Sequence, residues 1–213
     1  LAATCTFAQL DRLDLPQAWI AAPLVGQCCR ALLGSFKIWN TATVGGNLCL
    51  ALPAGPMIAL ATALEATCAI WSADGGARHV PVEDFILGAQ RNALKPGEIL
   101  RSLSMPAAAL MRRTAFRRIS LSPNGRSGAL LIGTRDPAGG FALTVTASVR
   151  RPVRLVFAGL PERAEVVTAL EQAIPDALYH DDVHGRPDWR RHVTRHLAGE
   201  IRDALAEDTG RCG

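Results

Sequence analysis

Thr41-Ala-Thr-Val-Gly-Gly-Asn-Leu48 is the stretch on which the reading of this chain turns. It follows a helical segment and precedes an apolar run, and it sets Gly45 and Gly46 between a hydroxyl residue, Thr43, and an amide residue, Asn47. Paired glycines carry no Cβ to hold a ligand away from the main chain. The pattern therefore predicts a turn whose backbone N–H groups point at anionic oxygens, with Thr43 and Asn47 as further donors. Such a cradle suits a pyrophosphate. The same letters also serve plain turn geometry, so the surroundings must decide.

Upstream, Ala18 to Leu33 reads as a buried helix with small or apolar residues on almost every face, and Leu1 to Leu10 as a strand running into a helix. Downstream, Pro56 to Glu65 reads as a second helix, with proline in the first turn where its missing N–H costs nothing. Thr67–Ser72 and Arg78–Phe85 are predicted as strands of a hairpin turned by Ala73–Gly76, since Asp-Gly-Gly between apolar runs favours positive φ. Leu94–Met105 gives a Pro-Gly turn and a strand ending at Pro106.

From about Arg112 the pattern changes. Thr114–Leu121, Gly128–Asp136 and Gly140–Ser148 are strand-like runs parted by Pro, Asn and Gly, which predicts a three-stranded antiparallel sheet. Val153–Leu160 adds one more short strand. Glu162–Ile174 and Trp189–Asp208 read as amphipathic helices, parted by Pro175 and Gly185–Pro187 and followed by a polar Gly210–Gly213 end. The predicted class is α+β: a mixed sheet with helices over residues 1–108, then a smaller domain of antiparallel sheet and helices over 109–213.

The bulk composition limits what the chain can be. It has 213 residues, 49% of them hydrophobic and 20% charged, enough for one good core or two small ones and far from the composition of a disordered chain. No apolar run approaches the roughly 18 residues of a membrane span. The net charge of +4 is spread as arginine along the second half, without the basic tails and interleaved aromatics of a nucleic-acid binder. Six cysteines (Cys5, Cys28, Cys29, Cys49, Cys68, Cys212) sit mostly in apolar stretches, with no C-x-x-C pair and no zinc spacing, which suits buried thiols in a reducing, cytoplasmic setting.

The longer run from Asn40 to Ala66 resembles the second flavin motif of the FAD-binding medium subunit of the molybdenum hydroxylases, the xanthine dehydrogenase and carbon monoxide dehydrogenase family. The order of elements is similar too: the Leu1–Leu10 lead-in, Thr43–Asn47, the Leu52–Pro56 helix start, Pro96–Leu100 and Phe116–Ser120. The resemblance covers essentially the whole chain. It implies that Thr43, Val44, Gly45, Gly46 and Asn47 contact the FAD pyrophosphate and adjacent groups. It further implies that Leu100 packs at the adenosine end and that Arg117 or Arg118 approaches the isoalloxazine, where a cation would favour the reduced flavin. The resemblance also implies partners: a molybdopterin large subunit, an iron-sulfur small subunit, and NAD or another electron acceptor. No catalytic residue and no metal ligand is assigned to this chain. The alternatives are a docking remnant that no longer holds FAD, and a flavin oxidoreductase without molybdenum partners.

Three departures from the family pattern stand out. The first flavin motif, an A-G-G-[TH] loop on an N-terminal lobe, is absent from this sequence, and Leu1 is not a methionine, so the chain reads as starting within a domain. Processing, a displaced gene start and a split gene all fit that start. Pro56 stands where many members carry an aspartate. Ser122–Gly128 (SPNGRSG) differs from the charged and aromatic pattern usual beside the flavin.

Other residues carry blander readings. His192 and His196 share a helix face, but no Glu stands between them in zinc-protease fashion, Arg195 lies beside them and a third ligand is missing. Glu83-Asp84 reads as a helix cap or a solvated pair, and Trp71 and Trp189 as packing residues. The basic run from Arg190 to Arg202 reads as a partner-docking or solvated face.

Overall fold

The computed structural model describes residues 1–207. Helices come first: α1 (Phe7–Asp11), α2 (Ala22–Ala31), α3 (Phe36–Thr41), α4 (Val44–Leu50) and α5 (Pro56–Ala63). A first set of strands follows, β1 (Thr67–Ser72) and β2 (Ala77–Pro81), then α6 (Val82–Phe85), β3 (Ile86–Gly88), β4 (Arg91–Asn92), β5 (Glu98–Ser104) and α7 (Ala107–Leu110). The second half runs β6 (Arg113–Ile119), β7 (Ala129–Arg135), β8 (Phe141–Thr146), β9 (Val153–Phe157), α8 (Arg163–Ala173) and α9 (Pro187–Glu207). The predicted Gly210–Gly213 end and Cys212 lie outside the described residues.

Helix α5 organises the first core. Each of its eight residues is buried, so PMIALATA shows no polar stripe and packs on all sides. It stops at Ala63, and Glu65 turns the chain with φ of 55°. Helix α2 is shorter than the predicted Ala18–Leu33. Pro23 sits in its first turn; a start at Ala18 would place that ring inside the helix, against the carbonyl four residues back.

Strands β2, β1 and β5 form a sheet that is antiparallel throughout, not mixed. The hairpin turns at Asp74–Gly76 as its sequence predicts, with Gly75 at φ 85° and the Asp74 carboxylate accepting the Gly76 N–H at 3.0 Å. The predicted strand Arg78–Phe85 ends at Pro81. Val82 and Phe85 are both buried three residues apart, a helical spacing, so the chain coils into α6 with Glu83 and Asp84 in its first turn.

In the second half Val153–Phe157 joins the three predicted strands, giving a four-stranded antiparallel sheet in the order β6-β7-β8-β9. Strand β7 is buried on both faces: Leu130 and Ile132 belong to the core around α5, Ala129 and Leu131 to a second core under α9. That double burial is why its sequence reads as a continuous apolar run with no alternation. The sheet thus lies between two helical layers.

Helix α9 is anchored by Arg190, whose side chain is 1% exposed. Its guanidinium donates to the carbonyls of Gly185 (2.8 Å), Gly128 (2.6 Å) and Ala147 (2.6 Å) and to the Asp182 carboxylate (2.5 Å). Other arginines of this helix pair within the chain: Arg191 with Asp176 and Arg195 with Glu171 at the surface, and Arg202 with the Pro161 carbonyl at 2.8 Å. Much of the basic face is therefore already matched by groups of the same chain.

Candidate functional site

The TVGGN segment is not a free turn. Val44 to Leu50 is helical, and Thr43 is its N-cap, accepting the Gly46 N–H on Oγ1 at 3.0 Å. The N–H groups of Val44 and Gly45 donate to the carbonyls of Cys5 and Ala3, both at 2.8 Å, and Asn47 N–H donates to the Thr43 carbonyl at 3.0 Å. The predicted cradle of outward N–H groups is thus closed by the chain itself. The lead-in segment supplies two of the acceptors, because it runs directly over the helix start.

The two glycines differ in what they do. A Cβ on Gly45 would lie 2.5 Å from the Ala3 Cβ and 2.8 Å from the Ala3 carbonyl oxygen, so only glycine permits this approach. Gly46 is exposed, and a Cβ there would meet only the Thr43 hydroxyl. Asn47 also has a double role. Its Oδ1 accepts the Met57 N–H at 3.0 Å and so caps α5, whose own N-cap, Gly55, has no side chain to do so. The Asn47 amide NH2 then remains as a donor.

Between α4 and α5 the loop Ala51–Gly55 is held by unusual backbone. Ala51, Gln90 and Ala147 are non-glycine residues at φ of 49°, 58° and 65°. Gln90 N–H donates to the Ala51 carbonyl at 2.9 Å and Ala147 N–H to the Pro53 carbonyl at 2.8 Å, while the Asn92 amide holds the Cys49 carbonyl at 2.6 Å. Left-handed conformations of this kind cost about 1 kcal/mol or more each and persist only where the surroundings over-determine them.

That loop floors a cleft of about 290 Å³. Asn47, Gly55 and Pro56 line it from α4 and the start of α5, Leu32 and Leu33 add apolar surface just beyond α2, and Asn124, Arg126 and His184 line it from the second half of the chain. A second cavity of about 260 Å³ adjoins it, sharing Leu52, Ala54, Arg126 and His184 and adding Gln90, Ser127, His180 and Asp182. Burial works against the Asp182 charge, but the His184 N–H and Arg190 hold its carboxyl below the usual range; burial pushes the His180 imidazole down. A larger cavity of about 430 Å³, near Leu10, Trp19 and Leu103, is almost wholly apolar and offers little to an anionic ligand.

The other residues assigned from sequence lie away from the cleft wall. Leu100 is buried in the first core, opposite Ile70 on β1. Arg117 pairs with Glu200 at 3.0 Å, and Arg118 donates to the Ala31 carbonyl at 3.4 Å, so it stands behind the wall and braces it. The sequence does not single out Arg126, Asn124 or His184 as ligand-facing; the first two fall in Ser122–Gly128, which departs from the family pattern, and His184 lies in the loop before α9 with no such signal. Among the described residues no three His, Cys, Asp or Glu side chains gather to hold a metal, and His196 pairs with Glu200 at 3.1 Å. Burial raises the Cys28 thiol well above its usual range and those of Cys29 and Cys68 to about 12, which keeps them protonated and inert.

A cleft lined by an amide, a guanidinium and apolar side chains can take a ligand with flat rings and an anionic linker, while the main-chain N–H groups of Val44 to Asn47 are bonded within the protein. The fold is of α+β type, with the cleft lined from both halves of the chain. The chain belongs to the family of FAD-binding domains in molybdopterin dehydrogenases, whose pattern matches residues 3–108. It is similar to the xanthine dehydrogenase of Oryza sativa subsp. japonica, 39% identical over 84 residues, covering 37% of this chain and 6% of that one. The caffeine dehydrogenase subunit beta of Pseudomonas sp. (strain CBB1) is 30% identical over 136 residues, 62% of this chain and 46% of that subunit. The chain thus spans under half the length of either relative. In fold it is similar to quinoline 2-oxidoreductase from Pseudomonas putida 86, with a TM-score of 0.77, 21% identity and coverage of 97% of this chain and 74% of that one. Carbon monoxide dehydrogenase from Hydrogenophaga pseudoflava gives a TM-score of 0.78 at 20% identity, over 95% of this chain and 72% of that one. Among the described residues no helix is long and apolar enough to cross a membrane.

Proposed function

We propose that this chain is part of the FAD-binding subunit of a molybdenum hydroxylase. In this reading electrons arrive from molybdopterin and iron-sulfur centres in partner subunits and leave to NAD or another acceptor in the cytoplasm. The observation that carries it is the cleft where Asn47, within the family-matched segment, faces Arg126 of the β6–β7 loop. Residues 1–108 supply the floor and one wall, and residues 109–213 supply the charged wall. FAD, when bound, accepts and releases electrons singly or in pairs.

This chain's residues position and select. Thr43, Val44 and Gly45 fix α4 against the lead-in segment, exposed Gly46 lets a ligand come close, and Asn47 donates its amide. Leu100 supports the floor from the core, Arg118 braces the α2 end of the cleft, and Arg117 ties β6 to α9. The opposing reading, a docking body that does not retain FAD, draws on one observation: the N–H groups of Val44 to Asn47 are all bonded within the protein.

Titration of the purified chain with FAD separates the two, alone and after co-expression with a chain carrying the family's A-G-G loop. A bound yellow chromophore is expected. Absence of binding at high FAD in both preparations overturns the flavin reading. Co-purification with molybdenum and iron-sulfur chains tests the partners.

A further inference from the structure

We infer that Arg126 is the residue that recognises the dinucleotide pyrophosphate in this cleft; the inference rests on the reading of the cleft as an FAD site. It begins from a deficit. Glycine-rich segments usually grip phosphates through main-chain N–H groups, and here those of Val44, Gly45, Gly46 and Asn47 are taken by Cys5, Ala3 and Thr43. Among the described residues, what this segment leaves for the negative charge of a bound pyrophosphate is side chains.

Arg126 is placed to meet it. It lines both adjoining cavities, across the floor from Asn47. Arg112, Arg117, Arg118, Arg154 and Arg190 are each held by a carboxylate or a carbonyl, whereas Arg126 is exposed and makes no hydrogen bond or ion pair among the described residues. Asp182, the carboxylate that lines the second cavity with it, is already engaged by Arg190 and the His184 N–H.

Only the tip of Arg126 is free. Its neighbour Ser127 is 3% exposed, Gly128 N–H donates to the Ile119 carbonyl at 2.8 Å, and the Gly128 carbonyl is clamped by Arg190. The guanidinium fork therefore projects from a fixed stem, and its planar donors match two phosphate oxygens at once. The Asn47 amide is a second, neutral donor from the opposite side.

The test compares FAD, ADP, riboflavin and NADH as ligands of the unaltered chain, Arg126→Gln and Arg126→Lys, by calorimetry or fluorescence. Arg126→Gln is expected to weaken FAD and ADP alike by about 10- to 100-fold, the loss of a charge-assisted contact, and to leave riboflavin unchanged. The salt dependence of FAD affinity should flatten in the same variant, and Arg126→Lys should restore part of the affinity. Thermal stability should stay constant, since the side chain is exposed and makes no hydrogen bond or ion pair among the described residues. Unchanged FAD affinity in Arg126→Gln overturns the inference, and so does a loss shared by FAD and riboflavin but not ADP, which would put the guanidinium at the isoalloxazine. A loss confined to NADH would assign Arg126 to the acceptor and overturn it equally. If the unaltered chain binds FAD in no preparation, the flavin reading falls first and the inference with it.

Discussion

Helix α4 and the β6–β7 loop face each other across one cleft, and they are opposites. In α4 the main-chain donors of its first turn are satisfied inside the protein, and Gly45 serves close packing on Ala3. In the loop the side chains of Asn124 and Arg126 are exposed, on a stem that Arg190 holds from beneath. The segment with the recognisable motif builds the wall; the segment without one carries the free charge. A conspicuous glycine pattern can record how two stretches of chain pack, while an unpaired charge can stand on a loop whose spacing carries no signature.

The contrast can be broken at several points. The largest effect is expected from Arg190→Met, which leaves Asp182 and three carbonyls without their donor: about 3–5 kcal/mol of stability should be lost, read by urea unfolding. A cost below about 1 kcal/mol would mean that the loop has no such support. Next comes Gly45→Val, where the new side chain would collide with Ala3; about 1–3 kcal/mol should go, visible as a drop in melting temperature. Gly46→Val sharpens the division between the glycines. It should cost less stability than Gly45→Val, about 1 kcal/mol for the displaced Thr43 cap, yet retain less FAD. If both variants lose stability equally, the two glycines are not distinct in role.

The smallest effect concerns a remote control. Arg78 grips Glu98 through two hydrogen bonds of 2.8 and 2.7 Å and, with the Lys95 N–H, lowers its carboxyl to about 2. A lowered carboxyl stabilises the fold above its ordinary value, near 4.5, and that contribution disappears as pH falls toward 2. Glu98→Gln should therefore flatten the acid limb of the stability profile between about pH 5 and 2 while leaving FAD affinity at neutral pH unchanged. A shifted affinity would show that the first sheet and the cleft are coupled.

Much of the fold was legible because its determinants are local. Asp74-Gly75-Gly76 announces its hairpin, Pro96-Gly97 its turn, and Pro56 the start of α5. The shortened α2 was legible in principle, from Pro23 alone. What escaped depends on partners distant in sequence. Nothing near Val44 says that the Cys5 carbonyl will take its N–H and the Ala3 carbonyl that of Gly45, or that Asn47 will cap a helix ten residues on. The order of the sheet was likewise decided by burial: Val153–Phe157 became its fourth strand because Phe141 and Phe157 meet across β8 and β9, with ring centres 5.9 Å apart. Arg126 drew no notice in the sequence because what sets it apart, the lack of a hydrogen bond or ion pair among the described residues, depends on where distant side chains end up.

Strand β7, with Leu130 and Ile132 facing one core and Ala129 and Leu131 the other, has a consequence for biosynthesis. A ribosome delivers the α5 face long before the strand that covers it, so the nascent first half must wait with greasy surface uncovered. Expression of residues 1–108 alone would freeze that waiting state, and the fragment should clump until the remainder of the chain is supplied.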